Sequence, residues 1–155
     1  MNWKMLTAAV LGLGLVWATG CDKKAEPTKA DPKKDDEHAH GSGPHGGVVI
    51  ELGKYHGEFK PDHAKMEATV WILDGDAKIA LPIKADKLRL VVSNTNPKIE
   101  IDLLPTDRDK DGKASTFTGK DNGFGVEMEY KGTVFFTLDG KQYSGDFEEK
   151  PEPKK

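Results

Sequence analysis

The sequence predicts an all-β domain: an antiparallel β-sandwich (Ig-like) of about seven to nine strands, preceded by a signal peptide and a disordered linker. Three observations carry that reading. Apolar and polar residues alternate with period two from Gly46 onward, as half-buried strands do. Turn residues break the alternation about every 8–12 positions. No helical period of useful length interrupts it.

The strand runs follow in order. Val48, Ile50 and Leu52 form one face of the first, with a Gly53-Lys54 turn after it. Tyr55 and Phe59 point inward on the second, which leaves His56 and Glu58 together on the outer face. Met66, Ala68, Val70 and Ile72 oppose Glu67 and Thr69. Asp74-Gly75-Asp76 is a turn, and Ile79, Leu81 and Ile83 follow it as a run that Pro82 marks as an edge or a bulge. Leu88, Leu90 and Val92 come next, then Ile99, Ile101 and Leu103. The late runs are Val126, Met128 and Tyr130, then Val134, Phe136 and Leu138. Asp139-Gly140 leads into Tyr143 and Phe147 and is the strongest hairpin signal. Val49, Trp71 and Phe135 fall on outward faces, where they belong to an interaction surface or to a second sheet's core.

Composition bounds the function classes. The chain has 155 residues, 36% hydrophobic and 32% charged, with a net charge of -3. That is one domain once processing is removed. Lysines and carboxylates are interleaved without a basic stripe, so nucleic acid is not an expected partner. Cys21 is the single cysteine, and an internal disulfide is excluded.

Residues 1–20 read as a lipoprotein signal peptide. Lys4 gives a minimal positive start, and Met5 to Trp17 is an uncharged, mostly apolar run, shorter than the about 20 residues a bilayer span needs. It ends in Ala18-Thr19-Gly20-Cys21, which resembles a bacterial lipobox with Ala18 in the usual leucine position. Cys21 is then the lipidated first residue of the mature protein, carrying palmitate-type acyl chains that bind a membrane. Asp22 resembles an inner-membrane retention signal. Residues 21–43 form a polar tether with no large apolar side chain, and its ends would sit roughly 25 Å apart. The β-sandwich domain spans 44–148, and 149–155 is a disordered tail.

The histidines are gathered at the doorway of that domain. His38, His40, His45 and His56 are four of the five, and His63 follows closely. His38, His40 and His45 make a local cluster among flexible glycines, and imidazole suits Cu or Zn. His56 and Glu58 are candidate contributors. A histidine must be neutral to ligate, so affinity is expected to fall below about pH 6.5. A competing reading makes the cluster an incidental part of a polar linker, and His56 with Glu58 an exposed pair on a strand. If the first two strands pair directly, His45 and His56 stand about 20 Å apart unless the bend at Gly46-Gly47 intervenes. His63 reads as a turn residue. Asp107-Arg108-Asp109-Lys110-Asp111-Gly112 opens like an EF-hand loop, but its twelfth position is Thr118, so a polar inter-strand turn is the expected structure. No nucleophile, base and phosphate-loop set emerges, and an enzyme is not expected.

Pro44 to Phe59, P-H-G-G-V-V-I-E-L-G-K-Y-H-G-E-F, resembles two groups. One is a set of bacterial lipoproteins with a short β domain. The other is the N-terminal extension of periplasmic adaptor subunits of heavy-metal efflux pumps. His45, Gly46, Gly47, Leu52, Gly53, Tyr55, His56 and Glu58 carry the match. Val70 to Lys78 and Gly132 to Gly145 fit the same lipoprotein group. The resemblance implies a lipid-anchored protein on the periplasmic side of a bacterial cell envelope, with a metal-efflux or other envelope protein as partner. It would bind or buffer a divalent transition metal; the alternative is a metal-free, non-enzymatic interaction module.

Overall fold

The computed structural model describes residues 41–151. They fall within one compact unit, Glu37–Lys155. The signal peptide, Cys21, His38 and His40 lie outside the described residues.

Eight antiparallel strands form the domain, as the alternation predicts. They are β1 (Val48–Leu52), β2 (Tyr55–Asp62), β3 (Glu67–Leu73), β4 (Leu88–Val92), β5 (Ile99–Pro105), β6 (Thr116–Lys120), β7 (Tyr130–Leu138) and β8 (Lys141–Glu149). Their spatial order is β1-β2-β3-β6-β5-β4-β7-β8. The hairpin-linked strands β4, β5 and β6 thus lie between β3 and β7. Both long connections, β3 to β4 and β6 to β7, give Greek-key crossings.

The sheet folds over into two halves. β5 belongs to both: Ile99–Leu103 pairs with β4, while only Leu104 and Pro105 pair with β6. On the opposite side β1 meets β8. A β-carbon on Gly145 would collide with the carbonyl oxygen of Glu51, so the two backbones touch there because residue 145 has no side chain. Sheet and sandwich are therefore two views of one nearly closed architecture.

Aromatic side chains fill the space between the halves. Phe59 of β2 stacks on Phe147 of β8 with ring centroids 4.3 Å apart. Tyr55 meets Tyr143 edge-on at 5.3 Å, and Tyr143 stacks on Phe136 at 4.9 Å. Phe124 and Tyr130 extend the cluster, and Leu52, Val70, Ile72, Leu88, Leu90 and Leu103 complete the apolar interior. Such pairs add about 0.5–1.5 kcal/mol each beyond their buried area.

Several local expectations are corrected. Ile79 to Ile83 is no strand: only isolated bridges at Ala80 and Ile83 form, and Ile79 stays 68% exposed. The segment is held by the Asp74 carboxylate, which accepts the N–H groups of Lys78 and Ile79. Met66 leaves its expected face because it closes a turn with φ 51. Val126 and Met128 precede β7 rather than opening a strand, since a short 3-10 turn at Asn122–Gly125 redirects the chain. β6 is the strand the sequence reading omits; Thr116, Phe117 and Thr118 alternate, but over too few residues to stand out. Leu52 and Tyr55 flank the Gly53-Lys54 turn, and Leu138 and Lys141 flank Asp139-Gly140, as expected.

Candidate functional site

Residues 43–47 lie over the outer face of β2. Gly46 N–H donates to the Gly43 carbonyl at 2.9 Å, closing a tight turn around Pro44 and His45. Gly43 N–H donates to the Gly47 carbonyl at 2.8 Å, and Ser42 bridges to Val48. The chain thus doubles back just before β1. The glycines make this approach possible. A β-carbon on Gly47 would strike the carbonyl of Phe59, and one on Gly43 would strike the Glu58 side chain.

Beneath that turn sits Glu58. Register places it between Val49 of β1 and Trp71 of β3. It does point to the outer face, but it is not exposed: its relative accessibility is 0%. The expectation of an exposed His56/Glu58 pair fails at Glu58 because the glycine turn roofs it. Val49 is buried there too, and Trp71 is half-buried.

Two backbone donors and one ring nitrogen meet the carboxyl group. Oε1 accepts the backbone N–H of His45 at 2.8 Å and of Gly47 at 2.7 Å. Oε2 lies 2.7 Å from Nδ1 of His45. A buried carboxylate is tolerated only when so satisfied. His45 is held at other points as well. Its ring stacks on Trp71, with centroids 4.2 Å apart and planes 9° from parallel. Its carbonyl oxygen accepts from Lys60 Nζ at 2.7 Å. The side chain remains 39% accessible.

The bend before β1 thus brings His45 onto Glu58. It does not bring His56 into the same contact. His56 is opposite Glu51 in register, and its Nδ1 lies 3.0 Å from the Asp74 carbonyl oxygen. His63 is the turn residue expected; Nδ1 lies 2.7 Å from the Phe124 carbonyl, and the ring stacks on Tyr130 at 6.1 Å. Among the described residues, no group of three or more His, Cys, Asp and Glu side chains is arranged to hold a metal ion.

The aspartates at 107–111 organise a turn, as expected. Asp107 accepts the N–H and hydroxyl groups of both Ser115 and Thr116, while Asp109 accepts N–H groups of Asp111 and Lys113. Burial pushes the Asp107 carboxyl up. The Thr116 N–H, the two hydroxyls and the Ser115 N–H outweigh it and hold the group below its usual value.

The stacking of Trp71 on His45 and the burial of Glu58 are what sequence reasoning missed. The signal was present in part. A glycine pair beside a histidine, next to a strand, licenses a backbone lying flat on its neighbour. Nothing in period-two alternation says what covers an outward face. Comparisons with protein-family models, with curated proteins and with solved structures found no match.

Proposed function

We propose that this chain is a membrane-anchored envelope lipoprotein, tethered through Cys21, that binds a divalent transition metal such as Cu or Zn through the histidines at the entry to its β domain. His45 is the anchor ligand, with His38 and His40 supplied by the preceding chain. One observation supports the reading above the rest: the His45 ring rests against a buried carboxylate. Metal-ligating histidines are commonly paired this way, because a carboxylate on one ring nitrogen raises the donor strength of the other. A histidine that merely keeps a linker soluble needs no such partner. His56 and Glu58 are then placed differently. Glu58 serves His45 from behind, and His56 is a neighbour rather than a required ligand.

The chemistry is sequestration or hand-over rather than catalysis. Imidazole donors suit borderline ions. Among the described residues no helix is long and apolar enough to cross a membrane. Attachment is assigned to acyl chains on Cys21 because small residues precede that cysteine and the apolar run before them is shorter than a bilayer span.

The test is calorimetric titration of the chain, purified without a histidine tag, with Zn²⁺ and Cu²⁺. Micromolar or tighter binding is expected, and it should disappear when His38, His40 and His45 are all replaced. Absence of binding, or binding that survives the triple replacement, overturns the metal reading and favours an interaction module.

A further inference from the structure

We infer that Glu58 is a positioning residue: it holds His45 with its ring proton on Nδ1, so that Nε2 is the atom presented for coordination. The inference rests on His45 being a ligand for its consequence, but not for the proton's placement, which belongs to the protein alone.

Nδ1 of His45 and Oε2 of Glu58 are 2.7 Å apart, so a proton lies between them. The other oxygen of Glu58 already accepts two backbone N–H groups, from His45 and Gly47. Those two bonds make Oε1 an acceptor, and the single proton of the Oε2 contact we place on the ring nitrogen. The ring nitrogen is then the donor. Free imidazole has no such constraint, and in proteins the nitrogen that carries the proton is set by the bond the other makes.

Position is fixed as firmly as protonation. Stacking on Trp71 sets the plane of the ring. The contact with Glu58 sets its rotation within that plane. The His45 N–H on Glu58 and the His45 carbonyl on Lys60 fix the backbone that carries it. Ring face, ring nitrogen, N–H and carbonyl are all engaged while the side chain stays 39% accessible. This is a prearranged single donor. Such a donor binds an ion without first being reorganised.

The placement is testable without metal. Long-range nitrogen–carbon correlation spectra of the labelled intact chain, recorded metal-free near pH 7.5, report which nitrogen of His45 bears hydrogen. A protonated Nδ1 and a bare Nε2 are expected. A protonated Nε2, with Glu58 carrying the shared proton, or rapid averaging of the two tautomers, overturns the inference. Zn²⁺ is then added. The Nε2 resonance should move most, and Glu58→Gln should weaken Zn²⁺ binding by about 10–100-fold. Lys60→Met loosens the same turn without touching the ring, and should change affinity by less than about threefold. Equal losses for the two variants would reduce Glu58 to a loop fastener and overturn the positioning role. If Glu58→Gln does not fold, the wild-type tautomer still decides. A correct tautomer with no response to Zn²⁺ or Cu²⁺ upholds the positioning of the ring and overturns the metal reading instead.

Discussion

A carboxyl group with no accessible surface has to be solvated by the protein. Glu58 receives that solvation from Gly47 and from two groups of His45. Removing it strands two backbone N–H groups under a roof of glycines, and stranded donors cost about 1–3 kcal/mol each. Glu58→Ala is therefore expected to lower stability by about 2–4 kcal/mol in urea denaturation. An exposed carboxylate on a strand would change stability by less than about 0.5 kcal/mol, so the two pictures separate cleanly. At this scale the sequence was half legible. The alternation of Tyr55 and Phe59 correctly sends Glu58 outward. It says nothing of the turn that folds back over that face, because no local pattern encodes a contact 13 residues away.

Elements are held in place by glycines at close approaches as much as by apolar faces. Gly145 admits the Glu51 backbone, and Gly132 admits the Val91 carbonyl. Both sit inside strand patterns, where glycine is otherwise a weak choice. Gly145→Val should push β8 off β1 and cost about 2–4 kcal/mol, measured as a fall in thermal or urea midpoint. It should also expose two strand edges, so light scattering on heating should begin earlier than in the parent. Strands with long, clean alternation were legible from sequence: β1, β3, β4, β5, β7 and β8 fall where the pattern puts them. The failures share a cause. Ile79, Leu81, Val126 and Met128 are spaced like strand residues, but a side-chain-capped turn and a 3-10 turn take those segments out of the ladder. Tertiary demand overrode spacing there.

The charged rims of the whole molecule give it a directional response to acid. Lys87 and then Arg89 hold Asp102 below its ordinary value, Lys65 does so for Asp62, and the Lys78 and Ile79 N–H groups do so for Asp74. Lys131, with Lys150 beside it, pushes Glu148 down to about 2. In each case the folded protein binds its proton less readily than the unfolded chain. Their stabilisation is complete above the unfolded values, 3.8 for the aspartates and 4.5 for Glu148, and is lost as pH falls through the folded values. Urea midpoints measured in steps from pH 6 to pH 2 should hold level for these groups until about pH 5 and then decline, most steeply below about pH 4. All four of these carboxylates are open to solvent, so added salt should shrink the decline.

The β5–β6 ladder is short: Leu104 pairs with Thr118 and Pro105 with Phe117, and the Thr106 N–H adds one bond to the Thr116 carbonyl. The amide protons along that spine should trade with deuterium sooner than those of the nine-residue β7–β8 ladder. The protein would then breathe like a book, opening at its binding while the covers stay flat.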